Sequence, residues 1–339
     1  MRQSPISSFS RSGRAPASTS LKIPKPSVTV VIPTRNRIHL LRQTLQDVLD
    51  QDYENLDILV SDNGSVDGTR ELIETMAREN RRLRYRRNAE RVPIISHFNQ
   101  CLDAATGEYF VMVCDDDRIN RSFVSSLAKG LTENGRASAA IPTNVIIDDS
   151  GNLIRTLPLP GKRTSSGIDF ITQWLWKTSQ LSVANLLTVM GRTEMMRNFR
   201  YQPFENGLNS DNLLFLQLAL NGELVFCQEA IFYWRHHDFQ TGSSTPLRRI
   251  NKAGKQFLNF VKSKEKFPHL RRLTAKEQRM IRRGIRQMNA EAQIYESGFY
   301  ENPFDPRTLK NLFSIPPDSD LWRLALRLYI RHFRRTLKT

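Results

Sequence analysis

Three short apolar runs, at 28–32, 56–60 and 109–114, each give way at their carboxyl end to polar residues. The first breaks into Pro33, Thr34, Arg35, Asn36 and Arg37, the second into Ser61, Asp62, Asn63 and Gly64, and the third ends on Asp115, Asp116 and Asp117. β-Branched and aromatic runs of this length, bounded by turn formers and followed by helical periodicity, predict parallel strands in βαβ units. Ile38, Leu41, Leu45, Val48 and Leu49 recur at helical spacing after the first strand, with Asp52 and Tyr53 closing that helix. Asp67 is placed to cap a second helix over 70–80. Farther on, 212–220 reads as an apolar helix stopped by Asn221 and Gly222. The expected fold class is α/β, with the polar strand ends of one open sheet converging on one crevice.

Three adjacent carboxylates at a strand end repel one another, and a divalent cation would relieve that repulsion. Mg²⁺ takes one or two protein carboxylates and completes its shell with phosphate oxygens. Alone, the Asp triplet reads as an acidic turn capping the next helix. Two further polar strand ends in the same sheet favour a ligand site.

In order and spacing, the segments 30–37, 61–69, 106–109 and 115–117 resemble family 2 glycosyltransferases, and the resemblance covers residues 28–244. It implies the GT-A fold, a Rossmann-like nucleotide-diphospho-sugar transferase domain. It also implies an inverting transfer of a sugar to a hydroxyl acceptor, a glycan or lipid-linked saccharide, assisted by Mg²⁺ or Mn²⁺. By the same resemblance, Pro33, Thr34 and Asn36 lie against the nucleoside. Asp62 accepts a hydrogen bond from the base, a UDP-sugar being favoured. Asn99 matches a common donor-side Asn, while Phe98 stands where relatives carry Arg. Asp115 and Asp117 fall on the outer positions of an Asp-x-Asp motif, touching ribose and metal–diphosphate and together organising the cation, with Asp116 between them in the donor site. Arg118 stands where many relatives have an acid; it would reach a phosphate or pair with Asp116, the pair being slightly favoured. Asp211 matches the general base of a single displacement, although Ser210 replaces the acid that usually precedes it. Read without the resemblance, Asp211 is a helix cap worth about 1 kcal/mol. Arg235 and His237 match a basic segment that would hold the departing diphosphate.

Charge divides the 339 residues into three parts. Residues 1–27 carry five basic side chains and no acid among many Ser and Pro, the composition of a disordered tail. Residues 28–244, the expected catalytic domain, hold 23 basic and 26 acidic side chains, whereas 245–339 hold 22 against 8. That last part is expected to be a basic helical extension, with helices over 253–264 and 275–295. In 321–335, Arg323, Arg327, Arg331, Arg334 and Arg335 form a stripe beside Trp322, Leu326, Tyr329, Ile330 and Phe333. The pattern fits a helix in the interface of an anionic membrane, and equally a helix packed on the catalytic domain. No run is long enough to span a bilayer and the start lacks a signal-peptide core, so the expected location is cytoplasmic, peripheral on the inner face of the membrane where bound. Cys101, Cys114 and Cys227 sit in apolar contexts, as buried thiols of a reducing compartment do.

Two other function classes remain on the sequence alone. A net charge of +16 invites nucleic-acid binding, but zinc-finger spacing, RNA-binding aromatics and a helix-turn-helix pattern are all missing, so no specific nucleic acid is expected. A sugar nucleotidyltransferase would open with a Gly-rich loop after the first strand, where this chain has Pro33 to Asn36. His236 and His237 lack the further ligands that zinc requires. Trp174, Trp176 and Trp234 fit either ring stacking on a ligand or the core.

Overall fold

The computed structural model describes residues 25–157, 159–174, 188–236 and 246–296. The first half alternates as expected: β1 (Val28–Thr34), α1 (Ile38–Leu49), β2 (Leu56–Asp62), α2 (Thr69–Glu79), β3 (Leu83–Arg87), α3 (Ile94–Ala104) and β4 (Tyr109–Met112). A two-residue strand β5 (Arg118–Ile119) and helix α4 (Phe123–Glu133) lead into the long β6 (Ala137–Ile147). Then come β7 (Leu153–Leu157), β8 (Thr164–Ser166), α5 (Gly167–Trp174), β9 (Met190–Arg192) and α6 (Thr193–Phe199). Helix α7 (Ser210–Ala219), the 13-residue β10 (Glu223–Arg235), α8 (Leu247–Lys262) and α9 (Ala275–Glu296) complete the described chain.

One sheet runs β3-β2-β1-β4-β9-β6-β10-β5, with β7 on β6 and β8 on β10. β1 pairs in parallel with both β2 and β4, so the chain order reverses between β1 and β4. In such sheets ligands bind outside the carboxyl ends of the strands at that reversal. β1 is buried on both faces, as a central parallel strand must be. Val30, Ile32, Ile58 and Val111 pack with Leu41, Leu45 and Phe123 on one face, and Val31, Leu59, Phe110 and Met112 with Phe215 on the other.

Local chemistry explains two of the motifs. Thr106 and Gly107 donate their N–H groups to the Thr29 hydroxyl at 3.0 and 2.8 Å, docking the approach to β4 on β1. A Cβ at Gly107 would lie 2.6 Å from the Thr29 nitrogen, so only glycine fits there. The 106–109 segment therefore works in assembly of the sheet. Asp67 is not the cap of α2: that position is Gly68, at φ 86°. The Asp67 carboxylate, one residue earlier, still accepts from the first α2 N–H, that of Thr69 at 3.3 Å, and also from the Thr69 hydroxyl at 2.6 Å and the Ile38 N–H at 3.0 Å, joining the starts of α1 and α2.

Helices α8 and α9 match the expected pair, with α8 beginning earlier, at Leu247. Their apolar faces send Phe257, Val261, Ile281 and Ile285 into the same cluster as Phe215 of α7, while Lys252, Lys255, Arg279 and Arg283 are exposed. Thr274 and Glu277 form a reciprocal cap at the start of α9, with the Thr274 N–H 2.7 Å from the Glu277 carboxylate. The expectations for residues 1–24, Trp176 and 321–335 lie outside the described residues. Cys101 is buried, Cys114 and Cys227 are half-buried, and all three are free thiols. No described helix is long and apolar enough to cross a membrane.

Candidate active site

The crevice opens because β1 and β4 part company. Their register ends at Val31 opposite Met112, and the Val113 N–H makes one last bond to the Val31 carbonyl at 3.0 Å. β1 itself continues through Pro33 and Thr34, opposite Ser61 and Asp62, so the strand extends two residues beyond the break read from the sequence. By strand alternation Pro33 faces β4, and it has no N–H with which to extend that ladder. The chain after Cys114 is free to turn, and the turn is Asp115–Asp117.

That turn is fixed from behind. The Thr44 hydroxyl of α1 lies 2.7 Å from the Asp117 carbonyl and 3.0 Å from that of Asp115. Arg235, at the end of β10, donates from Nε to the Asp116 carbonyl at 3.0 Å and from its backbone N–H to the Asp117 carboxylate at 3.1 Å. The rest of its guanidinium binds the Asp149 carbonyl at 2.7 Å and Gln43 at 2.8 Å. Arg235, expected against a diphosphate, is a buried strut of the Asp turn in this structure.

The three carboxylates are 4, 9 and 2% exposed, which makes their charge expensive. Asp115 accepts from the Thr34 hydroxyl at 2.7 Å and from Arg37 at 3.2 Å. Asp116 takes the same Arg37 guanidinium at 2.6 Å. Burial, then repulsion from Asp116, pushes the Asp115 carboxyl up to about 6 despite Arg37 and Thr34. The same two causes hold the Asp117 carboxyl well above the ordinary carboxylate range. Ligand atoms of Cys114, Asp116 and Asp117 lie within 4.8 Å of one another. Burial and the three acids keep the Cys114 sulfur a thiol, a poor ligand for a hard cation. Asp116 and Asp117 thus carry oxygen donors of the kind that fits Mg²⁺ or Mn²⁺, and Arg37 lies against both Asp116, at 2.6 Å, and Asp115, at 3.2 Å. The sequence pattern instead pairs Asp115 with Asp117.

Arg118 does not pair with Asp116. It forms a two-pronged pair with Asp47 of α1, one N–O distance being 2.7 Å, because the two-residue β5 aims it along α1. The cation that Asp116 meets is Arg37, to which the sequence motifs assign no role; its signal is the basic run directly after β1.

Asn36 is left-handed, at φ 53°, a conformation Asn tolerates better than most residues. Its side chain accepts from the Val66 N–H at 2.8 Å, tying the loop after β1 to the loop after β2. Asp62 is fully buried and accepts from the Ser65 N–H at 2.8 Å and the Tyr85 hydroxyl at 2.7 Å. Arg87 lies 3.7 Å from the same carboxylate, and since a carboxylate has about four acceptor sites, one remains beyond these contacts. Asn99 spends both ends of its amide on the Tyr201 backbone, at 2.9 and 3.0 Å, and a donor contact would require releasing one of them. His97 in the same helix meets the Ser61 hydroxyl at 2.9 Å, and burial, then Arg86, lowers it to about 4, so the ring is neutral. His237 lies outside the described residues.

Asp211 is the second residue of α7; the cap position is Asn209, at φ 64°. α7 enters β10 through a short connection, and β10 runs parallel to β6 and, through the antiparallel β9, to β1. The amino end of α7 therefore lies at the same sheet edge as the Asp turn. The Ser210 hydroxyl donates to the Gln202 carbonyl, fixing that end. Burial raises the Asp211 carboxyl above its ordinary range, opposed by the N–H groups of Asn212 and Asp211 itself. A half-buried carboxylate made more basic is suited to accept a proton.

Comparison with known proteins bears on this arrangement. The family described as Glycosyl transferase family 2 matches residues 29–206. A relative from Campylobacter jejuni, GalNAc(5)-diNAcBac-PP-undecaprenol beta-1,3-glucosyltransferase, is 27% identical over 183 residues, 53% of this chain and 54% of that protein. The chain thus spans about half the length of that relative. The structure of S. aureus TarS 1-349 in complex with UDP-GlcNAc matches with a TM-score of 0.57 at 15% identity, over 90% of this chain and 92% of the other. Mannosyltransferase PcManGT from Pyrobaculum calidifontis, in complex with GDP-Man and Mn²⁺, matches with a TM-score of 0.54 at 17% identity, over 91% of this chain and 81% of the other. At such identities these likenesses are of fold.

Proposed function

The chain belongs to glycosyl transferase family 2, and from that premise we propose that it moves a sugar from a nucleotide-diphospho-sugar to a hydroxyl of a lipid-linked saccharide, with inversion in a single displacement. The observation that carries this reading is the buried Asp turn at the crevice between β1 and β4, where Asp115 and Asp117 are destabilised as anions and the turn is held in place by Thr44, Arg235 and Arg37. Charge kept at such cost in a crevice points to a ligand more than to stability. Asp116 and Asp117 would hold a divalent cation, with Asp115 beside them. That cation supplies charge stabilisation to the departing diphosphate.

The protein's own residues do the rest. Pro33, Thr34 and Asn36 line the nucleoside end, and a UDP-sugar is the favoured donor, with the uracil ring N–H directed at Asp62. Arg235 acts by fixing the Asp116 carbonyl and the Asp117 carboxylate. Asp211 takes the proton of the acceptor hydroxyl from the face opposite the diphosphate. The name of the Campylobacter jejuni relative, with its undecaprenol-linked substrate, supports a lipid-linked acceptor. The bound UDP-GlcNAc and GDP-Man of the fold neighbours support the donor class, and the bound Mn²⁺ supports the cofactor.

Incubation with UDP-, GDP- and dTDP-sugars, Mn²⁺ and polyprenyl-diphosphate saccharides tests the proposal. The expected result is consumption of one donor class and a product whose anomeric configuration is inverted by NMR. Retained configuration, or no donor consumed with any acceptor, counts against it.

A further inference from the structure

Two guanidinium groups flank the Asp turn, and they do so in different ways. Arg235 stands behind it, 5% exposed, with its side chain on the Asp116 and Asp149 carbonyls and Gln43. Arg37 lies on the open side: its side chain is 28% exposed, against 6% for Asp115 and 11% for Asp116. A single nitrogen, Nη1, reaches both carboxylates, at 3.2 Å to Asp115 and 2.6 Å to Asp116. One point of positive charge thus bridges two buried acids, as a metal ion bridges carboxylates.

The backbone under Arg37 is fixed, while its side chain is long. The N–H groups on either side of it, those of Asn36 and Ile38, donate to the Ser65 hydroxyl at 2.9 Å and the Asp67 carboxylate at 3.0 Å. Its own carbonyl accepts from the Leu41 N–H at 2.9 Å, the first bond of α1. Rotation of the side chain alone, with no movement of the loop after β1, is therefore enough to change its partners. Arg37 is also the cap residue of α1, so its guanidinium shares the crevice with the positive end of a 12-residue helix. Both favour an anion on the open side of the turn.

Asp116 is claimed twice. It pairs with Arg37, and with Asp117 it carries the oxygen donors that fit a divalent cation. Two positive partners on one carboxylate repel each other, and burial weakens the screening between them. A doubly charged ion added to Arg37 and Arg235 also gives the turn more positive charge than its three acids neutralise, a surplus that a diphosphate offsets.

We propose that Arg37 is an exchangeable counter-cation: it pairs with Asp115 and Asp116, yields Asp116 to a divalent cation, and turns to the diphosphate bound with that cation. The inference deepens the transferase reading and rests on it for the ion and the nucleotide. It gives one side chain opposite effects on the two ligands, opposing the ion by itself and favouring the diphosphate. A residue that merely shaped the turn would favour both.

Calorimetric titration of the full chain with Mn²⁺ alone, and with UDP at saturating Mn²⁺, tests the exchange. Mildly alkaline buffer keeps protons from competing for the carboxylates. Arg37→Met is expected to bind Mn²⁺ alone about tenfold more tightly than wild type, because a neighbouring like charge is gone. Its affinity for UDP at saturating Mn²⁺ should fall about tenfold or more, through loss of a charge-assisted bond to phosphate. Arg37→Lys, which keeps a charge beside the buried acids, should shift both affinities in the same directions by less. It carries the test if Arg37→Met does not melt cooperatively. Arg35→Gln, at an exposed position two residues away, should leave both affinities within about twofold, since exposed charges are screened. Weaker or unchanged Mn²⁺ binding in the Arg37 variants overturns the proposal, as does undiminished UDP binding. Parallel losses of both would make Arg37 a scaffold of the turn. Opposite shifts without sugar transfer to any acceptor would remove the transferase reading alone, and transfer with parallel losses would remove this one alone.

Discussion

The Asp115–Asp117 turn and the α8–α9 pair carry opposite charge and handle it in opposite ways. The turn buries three acids, and the surrounding chain is built around them: Thr34, Thr44, Arg37 and Arg235 each point a donor at that turn. The two helices expose Lys252, Lys255, Arg279 and Arg283, with Lys252 reaching Glu205 at 2.7 Å, and bury their apolar face through Phe257, Val261, Ile281 and Ile285. Basic residues are more numerous on the helices, and those that meet no carboxylate among the described residues, such as Lys255 and Arg279, are expected to be replaceable. The few acids in the turn are not. Abundance of charge describes a surface, and function is read where charge is held at a cost.

The largest effect is expected where a buried charge meets the reaction. Asp211→Asn keeps the size of the side chain and loses its basicity, so transfer should fall roughly 10²–10⁴-fold with donor affinity near normal. An Asn variant that transfers at the wild-type rate would reduce Asp211 to a first-turn helix residue.

Next comes the strut behind the turn. Arg235→Met keeps the backbone N–H on Asp117 but strips the Asp116 and Asp149 carbonyls and Gln43 of their donor, a loss of about 1–3 kcal/mol for each buried acceptor left unpaired. Urea denaturation reads it directly, and a midpoint within error of wild type would mean that the turn holds itself.

A smaller, pH-dependent effect should separate the two regions. The folded-state pKa of Asp115 is raised to about 6, so its contribution to stability is full below the ordinary carboxylate range and is lost as pH rises through about 6. In metal-free protein, Asp115→Asn should therefore gain on wild type as pH climbs from about 4 to above 6. Mn²⁺ should flatten this difference in melting temperature, because the cation favours the ionised carboxylate. The smallest effects belong to the helices: Lys255→Gln and Arg279→Gln should each change stability by less than about 0.5 kcal/mol. A larger loss at either would mean that these surface cations are no more replaceable than the buried acids.

Much of this contrast was legible in the sequence, because burial on both faces of a parallel strand leaves a continuous apolar run. β1, β2 and β4 follow from such runs, α1 and α9 from helical periodicity, and α7 from an apolar stretch stopped by Asn221 and Gly222. β6 did not: it opens with Ala137, Ser138, Ala139 and Ala140 and carries Pro142, which sits where the pairing with β10 slips at a bulge. The three-residue β9 is defined by its partners and has no signal of its own. Within the site, residue types were legible and partners were not. Arg118 finds Asp47 71 positions away, and Arg37 finds Asp116 79 away. Only the packing of α1 against the turn brings them together.

The central claim is that the buried Asp turn organises a divalent cation with a nucleotide diphosphate. Calorimetric titration of UDP with and without Mn²⁺, on wild type and on Asp117→Ala, tests it most directly. The account predicts Mn²⁺-dependent UDP binding by wild type and its loss in a variant that still melts cooperatively. Unchanged affinity of Asp117→Ala for UDP plus Mn²⁺ would contradict it.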